Sequence, residues 1–348
     1  MKPEKTTIYH LAEKLNVSPS TVSRALKDHP RISKQMRKRV VDLARELNFE
    51  PNIMAANLRS GHSKLIGMIV PYQDTAFFSS VIRGVEDEIL QHGYQVIVAQ
   101  SNEQLAKEIK ALEALSATQV AGVLLSLSRE TDQFDHINAL KDKQKPIVLF
   151  DRSSFQIDCD KVVLDDFQAA FDAVSHLISS GCSNIAILHG PLHLDLYAER
   201  MRGFLTALKA ASVAHNEDLM VCVDDTTESG ADAAARLMKS PNPPDAFFTT
   251  SDYMALGVMS YLNTLNVDVP DEVKVVGFSN EPFTRWLVPS LTTIDQQSQE
   301  MGRVAARLLV QRIEGHGVAV AQKVVISPKL VIRDSSTSRE SIGRESLV

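Results

Sequence analysis

Three cysteines, one tryptophan and no long apolar run set the first limits on this chain. Cys159, Cys182 and Cys222 are far apart, odd in number and never spaced as CxxC. That speaks against a disulfide framework or a thiolate zinc site and leaves buried free thiols as the expectation. No apolar stretch approaches the roughly 18 residues of a membrane span. The opening "MKPEKTTIYH" has no apolar core of a secretory signal, so the cytoplasm is the expected compartment. GxSxG, HExxH, GxxxxGK[ST] and GxGxxG are all absent, and the ten histidines do not recur at metal-ligand spacing. Neither catalysis, nor a metal, nor a cofactor is expected.

What is present is an uneven distribution of charge. The 348 residues, 44% hydrophobic and 23% charged, suffice for two or three domains. Residues 1–62 hold twelve Lys or Arg against six acids, a net +6, so the rest of a chain of net charge −6 carries −12. A basic module ahead of an acidic body points to a polyanion met by the N-terminal part alone.

That module reads as three short helices. Thr7 is placed to cap the first, in which Ile8, Leu11, Ala12 and Leu15 form one apolar stripe that ends near Asn16. After a short turn Ser18 caps a second helix, with Pro19 at its first position, where a missing N–H costs nothing. Val22, Ala25 and Leu26 face inward. A third helix starts at Ser33 and repeats Met36, Val40, Leu43, Ala44 and Leu47. This is a helix-turn-helix arrangement, whose second helix enters the major groove of DNA. Ser18, Ser20, Thr21 and Ser23 let the backbone approach phosphates and base edges, and Arg24 is placed to read a guanine edge with two hydrogen bonds. Thr7, Pro19, Arg31 and Ser33 complete the predicted DNA-facing set over domain 1–50.

From Lys64 the pattern becomes α/β. Apolar runs "LIGMIVP", "YQVIVAQ", "VAGVLLSL", "PIVLF", "NIAILHG", "MVCV", "AFFTT" and "VKVVGF" alternate with helical stretches such as 78–91, 104–115, 167–178 and 252–262. Alternation of this kind predicts parallel sheets covered by helices, with ligands at the carboxyl ends of the strands. Candidate ligand residues therefore follow strands: Tyr72, Asp74, Phe77 and Phe78; Asp151 and Arg152; Arg200; Asp225; Ser251 and Asp252; Ser279 and Asn280. Asp252 could equally cap the helix that follows it. A guanidinium such as Arg200 binds carboxylates, phosphates or paired hydroxyls bidentately. The tail from 335 to 348 is polar and is expected to be unstructured.

The stretch "TIYHLAEKLNVSPSTVSRALKDHPRISKQMRKRVVDLARELNFEPN" strongly resembles the DNA-binding domain of the lactose-repressor and galactose-repressor family of bacterial transcriptional regulators. Family-like segments continue in order to about residue 334: "LIGMIVP", "GVLL", "GPL", "AERMRGF", "SDYMALGVM", "VVGFSNE" and "PSLTTIDQ". The resemblance implies a homodimer on a near-palindromic operator, associated with the nucleoid when bound, whose affinity changes when a small molecule enters the body. It implies a periplasmic-binding-protein-like body over 64–334, with two lobes joined by three crossovers near Leu164, Thr292 and Lys323. It also implies a hinge helix over 51–63 that lies in the minor groove, with Asn52 and Ala55 facing DNA and Leu58 wedged between base pairs. Two turns are too few for a helix to stand alone in water, so this segment must pair with something, and Met54 is a candidate for pairing with a second subunit. The segment "EPFTRWLVPSL", with Trp286 and Leu287, corresponds to one that family members use for dimer packing.

Family ligand residues map onto Phe77, Asp151, Arg200, Ser251 and Ser279. Two positions depart from the family: Ser279 stands where many members carry Asp, and Asp225 where several carry an aromatic. The gathered acceptors, an aromatic face and one fixed cation suit a sugar. A sugar phosphate or a nucleobase is the alternative effector, and a sugar-binding protein for transport or sensing is the alternative function. The basic module argues against the last.

Overall fold

Polar caps separate the three N-terminal helices. The computed structural model describes residues 6–26, 28–47, 49, 63–317 and 320–337. Helix α1 (Ile8–Leu15) starts where the Thr7 hydroxyl accepts from His10 N–H while the His10 ring accepts from Thr7 N–H. It stops at Asn16, whose left-handed φ of 52° breaks the helical run. Helix α2 (Pro19–Leu26) begins beneath Ser18, whose Oγ accepts from Thr21 N–H at 3.2 Å. Helix α3 (Lys34–Glu46) is capped by Ser33, which accepts from Met36 N–H. Leu11, Ala12, Val22, Ala25, Val40 and Ala44 are buried together as one small core, the stripes read from periodicity. The predicted hinge with Asn52, Met54, Ala55 and Leu58 lies outside the described residues.

Contacts divide the chain into two compact units, Met1–Ser63 and Lys64–Val348. In the larger unit the chain runs β1 (Leu65–Val70), α4 (Ala76–Gln91), β2 (Gln95–Gln100), α5 (Leu105–Ala117), β3 (Val123–Leu125), α6 (Asp135–Asp142), β4 (Ile147–Phe150) and β5 (Asp160–Leu164). It continues through α7 (Asp166–Ser179), β6 (Ile185–His189), α8 (Asp195–Ala210), β7 (Met220–Cys222), α9 (Thr227–Leu237), β8 (Ala246–Thr249), α10 (Asp252–Thr264) and β9 (Lys274–Val276). It closes with β10 (Thr293–Asp295), α11 (Ser298–Ile313), β11 (Lys323–Ile326) and β12 (Lys329–Val331). One parallel sheet has the order β11-β5-β4-β3-β1-β2 and the other β7-β6-β8-β9, while β10 and β12 form an antiparallel pair. These are two lobes, each with its strands buried between helices, as the apolar runs predict.

The reading of apolar runs passes over β5, because Asp160 and Lys161 interrupt it. Asp160 is buried and held by Arg312 at 2.5 and 2.6 Å, so its charge is compensated where periodicity sees only a polar break. The chain first changes lobe after Leu164, as expected. The second passage falls at Gln296–Gln297 rather than Thr292, since Thr292 still pairs with Val276 beside the second sheet. The third falls at Ser327–Pro328 rather than Lys323, because Lys323–Ile326 pair with β5. Residues 335–337 also do not belong to the expected unstructured tail, the rest of which lies outside the described residues. Ser335 and Ser336 are fully buried; the Ser335 hydroxyl donates to Val275 O at 2.6 Å and accepts from Thr292 N–H at 2.8 Å.

Helices α4 and α11 meet backbone to backbone. A Cβ on Gly302 would lie 2.1 Å from Val81 O, and one on Gly84 would lie 2.0 Å from Gln299 O. No real side chain fits at that distance without the helices parting. Gly302→Val should therefore destabilise the body by about 1–3 kcal/mol through overpacking. Thermal unfolding should show a midpoint lower by several degrees; an unchanged midpoint would mean that the two helices separate at no cost.

Candidate functional site

Two surfaces gather the residues singled out from the sequence. On the small unit, Ser18, Ser20 and Arg24 are exposed, while Pro19, Thr21 and Ser23 are half-buried. The Ser18 hydroxyl lies 2.8 Å from that of Ser20 and 2.9 Å from that of Thr21, so the start of α2 is a compact hydroxyl cluster. Ser20 and Arg24, one turn apart, share the face away from Val22 and Ala25. Thr7, Ser18 and Ser33 mark the N-termini of all three helices, where free N–H groups favour phosphate. Arg31 is exposed beside Ser33. Arg37 is engaged otherwise, in an ion pair with Asp28 and a 3.4 Å bond to His29 O that hold the α2–α3 loop. Tyr9, 69% exposed, escaped the sequence reading. Its signal was available, for it falls outside the apolar stripe of α1.

On the large unit, the carboxyl ends of both sheets face a cleft of about 630 Å³, its open mouth included. Tyr72, Phe77, Asp151, Arg200, Asp225, Ser251 and Ser279 all line it, as do Phe78 and Arg152. Asp252 does not. Fully buried, it accepts from Glu281 N–H at 2.8 Å and the Thr293 hydroxyl at 2.6 Å, and burial pushes its carboxyl up to about 7. Gly277 makes room for it, since a Cβ there would sit 2.2 Å from Asp252 Oδ1. Nor does Asp252 cap α10; Ser251 does, accepting from Tyr253 N–H at 3.1 Å. Asn280 is likewise outside the cleft lining, tied to Asp295 and Arg333.

Both cations in the lining are already engaged. Arg200, 3% exposed, donates to Asp166 at 2.8 Å and Thr250 O at 3.0 Å, with its guanidinium 3.5 Å from the centre of the Phe278 ring. Burial pushes Asp166 up to about 7 against the pull of Arg200. Arg152 donates to both oxygens of Glu103 at 2.6 Å. Burial pushes Asp151 up to about 6, opposed by Arg152 and Arg200, and the Ser126 hydroxyl reaches it at 3.4 Å. Tyr72 and Asp225 stand exposed at the rim.

The lining also contains Glu103, Tyr197, Thr250, Tyr253, Glu281 and Gln296, none of which was predicted. Tyr197 lies one turn before Arg200, and Glu103 follows β2 by three residues where Tyr72 follows β1 by two, so both were within reach of the strand-end rule. Gln296 follows β10, a strand without an apolar run, and carried no signal.

Among the described residues, Glu281, Arg129, His193 and Asp195 make polar contacts that bridge the lobes around this cleft, His193 Nε2 lying 2.9 Å from Arg129 O. Glu281 accepts from Ala76 and Phe77 N–H at 3.2 Å, which caps α4 from the opposite lobe. Arg129 donates to Val223 O at 3.0 Å and pairs with Asp224 at 3.1 Å. Asp195 accepts from the Ser153 hydroxyl and Phe155 N–H, each at 3.2 Å. On the outer surface, Trp286 is 80% exposed and Val288 97%, while Leu287 packs partly against the second-lobe core.

Comparison with known proteins finds matches to both units of the chain. Residues 7–52 match the model of bacterial regulatory proteins of the lacI family, and residues 174–336 match a periplasmic binding protein-like domain. The chain is 33% identical over 330 residues to the HTH-type transcriptional repressor CytR of Escherichia coli (strain K12), covering 95% of this chain and 96% of that one. Among solved structures, a transcriptional regulator CelR–cellobiose complex is 26% identical with a TM-score of 0.73, covering 95% of this chain and all of the other. The lac repressor dimer bound to operator and the anti-inducer ONPF shares the fold with a TM-score of 0.85 at 24% identity, over 96% of this chain and all of the other. With an exposed hydroxyl-and-arginine helix in one unit and a two-lobed cleft in the other, this chain belongs to the LacI family of helix-turn-helix DNA-binding transcriptional regulators.

Proposed function

We propose that this protein is a cytoplasmic repressor that binds a near-palindromic operator as a homodimer, with its operator affinity set by a sugar held between the lobes. Residues 1–50 read DNA, 51–63 form the hinge, and the body from 64 binds effector and dimerises. The observation that carries the effector assignment is the cleft itself: acceptors on every side, aromatic rings and a buried guanidinium, at the carboxyl ends of strands and on the first turns of the helices beside them. Sugars present hydroxyls at their edges and C–H groups on their faces, so they match such a lining. The cellobiose in the CelR complex is a precedent for that chemistry in a similar body. A nucleobase is the second reading, favoured by Tyr197 and Tyr253, which add two rings to Tyr72 and Phe77.

A ligand that prefers the closed lobes shifts operator affinity by its difference in affinity between open and closed states. Calorimetry with mono- and oligosaccharides beside nucleobases separates the two readings. A nucleobase that binds where no sugar does would overturn the sugar assignment.

Arg24 is placed to read one base pair per half-site. Arg24→Ala should cost about 1–3 kcal/mol and relax preference at that position, whereas Lys34→Ala should weaken binding to all sequences alike. A panel of single-base operator variants measures both, and an unchanged sequence profile for Arg24→Ala would refute the role.

Two reading heads must span two half-sites, so a body dimer has to hold their spacing. Trp286 and Val288 leave more apolar surface in water than a monomer gains from. Trp286→Asp should yield monomers with weak operator affinity by analytical sedimentation; an unchanged dimer would exclude this face.

A further inference from the structure

Charge inside the effector cleft does not balance. Arg152 is held by Glu103 and Arg200 by Asp166, so each lining cation has its carboxylate. Three further carboxylates line the cleft, and among the described residues Asp151, Asp225 and Glu281 form no ion pair. Glu281 is compensated by the N–H groups at the start of α4. Asp151 receives only the Ser126 hydroxyl, at 3.4 Å. Asp225 stands at the mouth, bonded by the Ser251 hydroxyl and drawn on by Arg152 and Arg200, with Glu281, Tyr72 and Tyr253 also within electrostatic reach. Carboxylates beside aromatic rings attract a cation twice over, by charge and by the negative face of the ring.

A second observation is independent of charge. Thr250 and Gln296, 2% and 4% exposed, line the same cleft, yet the Thr250 hydroxyl and Gln296 Oε1 have no partner. The other end of the Gln296 amide donates to the Ser279 hydroxyl at 2.8 Å, so whichever way the amide is turned, one end is left over. Polar groups this deep are costly until something bonds to them. A donor-rich ligand satisfies them. An anionic group would meet unpaired carboxylates, and a neutral sugar would serve Thr250 and Gln296 but bring no cation to Asp225 or Glu281.

Resting on the reading of this cleft as the effector site, we propose that the effector is a polyhydroxylated molecule bearing a protonated amine, an amino sugar. Its ammonium sits at Asp225 and Glu281 beside Tyr72 and Tyr253, and its hydroxyls reach Thr250 and Gln296.

Calorimetry on the full chain tests this with matched probes: glucosamine and galactosamine, their N-acetyl forms, glucose, galactose, glucose 6-phosphate and free nucleobases. Charge-assisted hydrogen bonds should make an amine bind about tenfold or more tighter than its N-acetyl counterpart. Asp225→Asn, checked for folding by its melting curve, should erase that difference. Neutral sugars binding as tightly as amines, or a preference that survives Asp225→Asn, would overturn the amine while leaving the sugar reading intact. Binding of nucleobases alone, or of no sugar of either kind, would overturn both.

Discussion

A buried guanidinium organises the body. Arg200 on α8 reaches Asp166 at the first lobe passage and Thr250 O at the end of β8, and lies over the ring of Phe278 just past β9. A charge this deep is tolerable only when paired and hydrogen-bonded, and removing one partner of such a pair typically costs about 3–5 kcal/mol. Four segments distant in sequence must therefore converge for Arg200 to be buried at all. Their convergence sets the floor of the cleft.

The same economy recurs wherever the body buries charge. Asp252 holds the loop after β9 through Glu281 N–H and the Thr293 hydroxyl, and needs Gly277 to make room for it. Asp160 holds the edge of the first sheet through Arg312. Burial raises the pKa of Asp166 and Asp252 to about 7, a sign of how strongly these carboxylates are desolvated. These groups act on the scaffold, and the cleft inherits its shape from them.

Polar contacts of a different kind bridge the lobes, beside apolar packing that runs from one lobe to the other. The bonds from Glu281 to the start of α4, from Arg129 to the 223–224 segment and from Asp195 to the 153–155 segment lie close to the cleft, those of Arg129 and Asp195 partly solvated and those of Glu281 buried. Contacts of that kind contribute little individually, so their sum can be offset by a ligand that prefers one arrangement.

Local pattern was enough for much of this protein. Caps, apolar stripes and the hydroxyl-rich "SPSTVSR" specified three helices and the exposed hydroxyl-and-arginine face of the second, because each depends on neighbours within one or two turns. Apolar runs specified eight strands, and the strand-end rule found Tyr72, Phe77, Asp151, Arg200, Asp225, Ser251 and Ser279 in the cleft, because parallel sheets bury their strands and leave their carboxyl ends free. Strand β5 was invisible because Asp160 is paired with a residue 152 positions away. Asp252 was misplaced because periodicity does not say which way a side chain turns once two distant donors compete for it. Gln296, the Glu281 clasp and the burial of Ser335 and Ser336 were decided only by tertiary structure, since each depends on contacts between segments that no local sequence pattern brings together.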